Sequence, residues 1–278
     1  MPGHAALASL TPAAASGRRP TATRTGWPWA WAGAVLGLLC GLLGWAPARW
    51  LTTPISHLSA ERVQWQHVRG TVWSGSAQLA LSGGPGSQSS VALPGRIEWS
   101  LRPRWDAGLE VSLHLPCCTP QALHLRVLPS WSGLHVQVQD GQSTWPASVL
   151  TGLGTPWNTL QAQGQLRLHT QQLQLAWAQE RLQVSGQASL GLINVSSSLS
   201  TLRPMGSYQL LLTGGSPPRL QLDTLNGRLQ LQGRGEWIGG RWRFEGEASA
   251  ASEHEAALSN LLNVLGQRQG SKALLKMG

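Results

Sequence analysis

The stretch RLQLDTLNGRLQLQGRGEWIGGRWRFEGEASA, Arg219–Ala250, decides how the chain is read. In RLQLD (Arg219–Asp223), RLQLQGRGEW (Arg228–Trp237) and RWRFEGEASA (Arg241–Ala250) apolar and polar residues alternate, the period of a strand with one buried and one wet face. Asn226-Gly227 and Gly239-Gly240 stand between the runs. Such pairs supply the positive φ of a tight hairpin, so the runs are expected to form an antiparallel meander and not βαβ units.

The same alternation recurs upstream in LHLRVL (Leu123–Leu128), LHVQVQ (Leu134–Gln139), QLRLHT (Gln165–Thr170) and LQLAWA (Leu173–Ala178). Gly83-Gly84-Pro85-Gly86, Asp140-Gly141 and Gly214-Gly215 are read as further turns. GTVWSGSAQLAL (Gly70–Leu81) opens on two glycines around Trp73 before alternating. Glycine in a strand marks a bend or a close approach, and no nucleophile–base pair accompanies the cluster, so Gly70, Trp73 and Gly75 are assigned to architecture, with Trp73 as anchor. Three helical pieces are expected: TTPISHLSAERVQW, with Thr53 as cap and Pro54 at its first position; PASVLTGLG (Pro146–Gly154); and a C-terminal helix. In the last, Ser252 and Glu255 form a capping box before Leu258, Leu261, Leu262 and Leu265, with Gly266 closing it.

From Thr25 to Ala48 there is no charged residue, and WPWAWAGAVLGLLCGLLGWAPA is the one segment suited to span a bilayer. Trp27, Trp29 and Trp31 crowd one end, and Trp45 and Trp50 the other, as expected of interfacial indoles. Arg18, Arg19 and Arg24 face Arg49 and Arg62, a slight bias that places the N-terminus in the cytoplasm. The rival is a cleaved signal peptide ending near Ala46-Pro47-Ala48; the proline and the long apolar run favour an uncleaved anchor. The expected organisation is a disordered cytoplasmic tail over 1–26, a single transmembrane anchor helix over 27–47, and a β-rich domain over 48–278 made of one extended antiparallel sheet with a few short helices.

The chain is basic, with 21 Lys and Arg against 12 Asp and Glu and a net charge of +9. Its arginines are scattered, the densest group being Arg241 and Arg243 around Trp242, so no nucleic-acid surface is expected. Cys117 and Cys118 are adjacent, a poor spacing for zinc, and are read as structural whether free or bonded, the alternative being a redox switch or a covalent link to a partner. His114, His124, His135 and His169 lie on or near strands as solvent-facing residues, and Glu245 and Glu247 beside Arg241 and Arg243 read as cross-strand charge pairing. No G-x-S-x-G elbow or Walker loop occurs, and Gly233-Arg234-Gly235 lacks a third glycine because Ile238 takes its place. Hence no catalytic, cofactor-binding or metal residue is expected, and neither a cofactor nor a small-molecule substrate.

GTVWSGSAQLAL, LGTPWNTLQAQGQLRL (Leu153–Leu168), STLRPMGSYQL (Ser200–Leu210) and GEASAASEHEAALSNLLNVLGQRQG (Gly246–Gly270), in this order behind one membrane segment, resemble the protein N family of the bacterial type II secretion system. The resemblance implies a bitopic inner-membrane protein with a periplasmic domain, belonging to the apparatus that exports folded proteins across the outer membrane. It implies no catalytic residues. The partners expected are the inner-membrane platform and the outer-membrane secretin, reached through strand edges or the apolar sheet face. The alternative is a periplasmic groove lined by Leu166, Leu168, Leu173, Leu175 and Trp177 that binds or transfers lipid; otherwise these residues form the core, with the leucines of the C-terminal helix available to cover them.

Overall fold

The computed structural model describes residues 27–84, 90–105, 108–130, 133–154, 157–178 and 181–277. The tail expected over 1–26 and part of the expected turn at Gly83–Gly86 lie outside them. The chain divides into two units, Met1–Gly44 and Trp45–Gly278.

In the first unit a helix, α1, covers Trp27–Gly44. Its apolar residues run all round it, and Val35, Leu36, Leu38, Leu39, Leu42 and Leu43 are exposed. At a rise of 1.5 Å per residue, 18 residues reach about 27 Å, a little short of the roughly 30 Å hydrocarbon core. Among the described residues no helix is long and apolar enough to cross a membrane.

The second unit holds the sheet. Its strands are β1 Val63–Gly70, β2 Ser74–Ser82, β3 Ser90–Ala92, β4 Ile97–Arg104, β5 Gly108–His114, β6 Leu123–Ser130, β7 Gly133–Val138, β8 Gly141–Pro146, β9 Gln163–Ala178, β10 Arg181–Ser196, β11 Gly206–Gly215, β12 Arg219–Gly227, β13 Leu229–Ile238, β14 Arg241–Ala250, β15 Gln267–Gln269 and β16 Lys272–Met277. Helices α2 (Thr52–Leu58), α3 (Trp157–Leu160) and α4 (Glu255–Leu265) and two 3₁₀ turns, Ala48–Leu51 and Ala147–Leu153, complete it. The sheet order is β1-β2-β4-β5-β6-β7-β9-β10-β11-β12-β13-β14-β16-β15, with β3 on β2 and β8 on β9. Nearly every strand pairs with its neighbour in sequence, and antiparallel pairing carries the whole path. The sheet rolls: Trp177 of β9 reaches Trp237 of β13 with ring centroids 5.9 Å apart, although β10, β11 and β12 lie between those strands.

The hairpin read from Gly239-Gly240 forms as expected, with both glycines at positive φ. The chain also reverses between β12 and β13, but not in a tight Asn-Gly turn: the ladder between them ends at Leu222 and Gly233, and Asn226 and Gly227 pair with Ser207 and Gly206 of β11. Gly214-Gly215 lies at the end of β11, and the chain reverses just after it, at Ser216–Pro218. The short segment Pro146–Gly154 is a 3₁₀ helix ending at Gly154. Around Gly70–Leu81 the crowding is architectural, and the half-buried Trp73 is joined there by a buried anchor, Trp99. A Cβ on Gly75 would lie 2.5 Å from the ring of Trp99, which is buried, stacks 4.9 Å from Trp65 and donates its Nε1–H to the carbonyl of Val72. Ala46 accepts the N–H of Val72, so the chain entering the unit is stitched to this same turn.

Neither expected helix cap forms. Helix α2 begins at Thr52 directly after a 3₁₀ turn, with Leu51 already in the right-handed region, so Thr53 has no orphan N–H to satisfy. Helix α4 starts at Glu255 behind His254 without a side-chain cap, because Glu255 is pulled outward to Arg268 at 2.6 Å. Its leucine stripe does what the spacing implies: Leu258, Leu261 and Leu262 are buried among Leu229, Ala248 and Ala273 of the sheet. Tyr208, the sole tyrosine, is buried in the same cluster and donates its hydroxyl to the carbonyl of Leu229 at 3.2 Å.

Two outcomes follow from this packing. Leu261→Ala is expected to lower stability by about 3 kcal/mol in denaturant unfolding, and Val264→Ala, on the exposed side of α4, by under about 1 kcal/mol; equal losses would mean that the stripe does not carry the packing. Burial pushes the Tyr208 hydroxyl pKa above its ordinary value near 10. A raised pKa favours the folded state while the phenol is neutral; that contribution is complete below the unfolded-state pKa and fades as pH climbs past it. Tyrosinate absorbance is therefore expected to appear together with unfolding, and ionisation near pH 10 with the fold intact would contradict the burial.

Candidate functional site

Strands β7 and β8 are two halves of one line laid along β9. Gln137 faces Gln174 and, four residues on, Gly141 faces Thr170, so the register carries through the interruption at 138–140. Asp140-Gly141 is thus no hairpin: the strand-long pairing on β9 overrides the local turn signal. The two runs QLRLHT and LQLAWA, expected as separate strands, are likewise one 16-residue strand.

The alternation changes phase at this point. On β9 the inward residues are Leu166 and Leu168 before the break and Leu173 and Leu175 after it, an even series followed by an odd one. Between them Gln172 takes φ +48, and against β10 the pairing slips by one residue, from Ser185 with Gln174 to Gln187 with Gln171. The extra residue is a β-bulge, which bends the strand and returns the leucines to the apolar face. Gly186 makes room for it, since a Cβ there would lie 2.1 Å from the carbonyl oxygen of Gln172. Two polar side chains lock the bend: Asp140 accepts the N–H of Gln172, and Thr170 donates to the carbonyl of Gln139 at 3.1 Å.

On the polar face the bend opens a cavity of about 320 Å³ lined by Glu110, His124, Arg126, Gln137, Gln139, Gln172 and Gln174, with Val138 and Leu173 at its floor. A smaller hollow of about 110 Å³ adjoins it, sharing Glu110 and His124 and adding Ser100, Arg102 and Ser112. Cross-strand register explains the convergence. Arg102, Glu110, Arg126, Gln137 and Gln174 stand in one row across β4, β5, β6, β7 and β9, and Ser100, Ser112 and His124 in the next. Glu110 is held by Arg104 at 3.3 Å. His124 departs from the solvent-facing reading, because its Nδ1 is buried without a hydrogen-bond partner. No local motif announces this site; the only trace in the sequence is the paired change of phase near Asp140 and Gln172.

The remaining sequence candidates lie elsewhere. Cys117 and Cys118 are bonded to each other in the β5–β6 loop. Cys118 is buried, and its carbonyl accepts the N–H of Thr144 at 2.8 Å, so the loop covers the edge of β8 that no strand pairs among the described residues. Glu247 pairs across the strands with Lys272 at 2.9 Å and Glu245 stands opposite Arg234, the cross-strand charge pairing expected of these two carboxylates. Leu166 and Leu173 are buried, but α4 is not what covers Leu166: Ala147, Leu150 and Ala162 do. Trp177, 45% exposed, and Leu134, 44% exposed, stand opposite each other at the rim, where Trp177, Trp237 and Trp242 form an edge-to-face chain. Among the described residues no group of three or more His, Cys, Asp or Glu is placed to hold a metal ion.

A long rolled antiparallel sheet with its apolar side capped by short helices and its polar side carrying adjoining hydrogen-bonding hollows is the frame of a β-scaffold protein. The family model of type II secretion system (T2SS) protein N matches residues 61–274, and the chain belongs to that family. It is a family of secretion-system components and not a known family of enzymes. No curated protein and no solved structure matches the chain.

Thiol titration tests the loop chemistry. Denatured without reductant, the chain is expected to show one reactive thiol, Cys40, and after reduction all three; three thiols from the outset would place Cys117 and Cys118 in the reduced state.

Proposed function

We propose that this chain is a non-enzymatic inner-membrane subunit of the type II secretion apparatus. The segment over 27–47 anchors it, and the sheet stands in the periplasm, where it acts as an assembly or interaction subunit in the export of folded proteins. The observation that carries the reading is the extent of the family match: residues 61–274 take in β1 through the first residues of β16 and leave out α1, so what the family shares is the sheet. The 24-residue uncharged run from Thr25 to Ala48, longer than α1 itself, and the tryptophans at its two ends support the anchor.

The edge of the sheet supports an interaction role. At the β1 end His67 has φ +50 and the register with β2 shifts between Gln66 and Arg69, a bulge that Arg96 bridges by donating to the carbonyls of His67 at 2.6 Å and Ser76 at 3.2 Å, so that edge is kinked. At the other end β15 covers only Lys272–Leu274 of β16, leaving Leu275–Met277 with no strand on that side among the described residues. An added strand from another subunit fits there, and the inner-membrane platform or the secretin is the expected source. The groove reading draws on the half-exposed rim of Leu134 and Trp177, where an acyl chain would enter the apolar side of the roll.

In a strain lacking this gene, a reporter exoprotein is expected to accumulate in the periplasm and to be secreted again on complementation. A photo-crosslinker at Lys276 is expected to trap another component of the apparatus. Normal secretion with a leaky outer membrane and co-purifying lipid would instead support the groove.

A further inference from the structure

We propose that the cavity at the break in the sheet binds a carboxylate carried on an extended peptide segment. The inference stands apart from the secretion reading and rests on the geometry of the polar face.

Three observations converge there. The first is charge. Arg102 and Arg126 flank Glu110 in the same cross-strand row, yet the Glu110 carboxylate is taken by Arg104, and neither the Arg102 nor the Arg126 side chain has a hydrogen bond or ion pair among the described residues. Two guanidiniums, each with a planar fork of donors suited to a carboxylate, therefore face the hollows with no anion of their own. The second is the buried Nδ1 of His124, a residue that lines both hollows; that nitrogen lacks a partner. A ring nitrogen left unpaired away from water is costly, and a ligand N–H or carboxylate oxygen placed there removes the cost. The third is the opposite wall. Gln137, Gln139, Gln172 and Gln174 offer amides that each donate and accept, the pattern a peptide backbone presents in return and one that a phosphate, mostly an acceptor, uses less fully. At about 320 Å³ the cavity is large enough for one or two residues of such a segment. The bend that makes it is held by Asp140 and Thr170, so the site is already formed before a ligand arrives.

The test uses the full chain in mild detergent and a dye-labelled peptide of alternating glycine and glutamate, read by fluorescence anisotropy. The peptide is expected to bind saturably, and the glycine–glutamine analogue to bind at least about tenfold more weakly. Arg102→Gln with Arg126→Gln, both at exposed positions, is expected to weaken the glutamate peptide about tenfold or more with thermal unfolding unchanged. Arg241→Gln with Arg243→Gln removes the same charge from β14 and is expected to leave binding as it was. Equal weakening by the two double variants would reduce the effect to net charge and overturn the proposal, as would absence of saturable binding. Inorganic phosphate is the second probe. If it binds as tightly as the peptide and displaces it, the site takes free oxyanions and the peptide assignment falls.

Discussion

One constraint governs the sheet: a strand shows its two faces alternately, so a strand long enough to bend must change phase where it bends or carry its leucines out into water. Strand β9 meets that constraint at Gln172 and its partner line β7–β8 at Val138–Asp140, and the two changes lie opposite each other. Because both strands shift together, Leu166, Leu168, Leu173 and Leu175 stay on one face and the cross-strand register survives. Gly186 on the third strand is the room the manoeuvre requires.

The apolar and polar sides of the molecule follow from that bend. On the inner side the roll brings Trp177 to Trp237 and lets three small clusters, around Leu258 and Leu262, around Trp99, and around Leu150 and Leu166, close the sheet with little helical material. On the outer side the same bend draws rows of arginine, glutamate, histidine and glutamine toward a common hollow. The cavity is thus the reverse of a packing solution, which is why it sits where the sheet is most tightly determined and not on a loop.

Much of this was legible in the residues. The last three long strands were plain, because each run alternates cleanly and glycine turns separate them. Strand β10 was hidden, since Gly186, Ala188 and Gly191 dilute its alternation, and β11 because Leu210, Leu211 and Leu212 stand in a row. Asp140-Gly141 misled for the opposite reason: the dipeptide is a sound local turn signal, and only pairing along β9 shows that the chain runs straight on. The helix caps at Thr53 and Ser252 failed because backbone context, not side-chain type, decides whether an N–H is left over. The cavity had no local signature, since its walls come from four strands whose mutual register no pattern reading fixes.

The order of the strands bears on how the molecule is made. With few exceptions each strand is hydrogen-bonded to the one before it, so pairing asks for loop closures of only a few residues and the sheet can grow from its N-terminal end as the chain is delivered. The lagging element is α4. The apolar ends of β11, β13 and β14 acquire their cover only when Leu258, Leu261 and Leu262 arrive behind them, so a chain cut short before Glu255, which also lacks β15 and β16, presents a sheet with a bare floor and an unpaired β14 edge, the species most prone to stick to its neighbours.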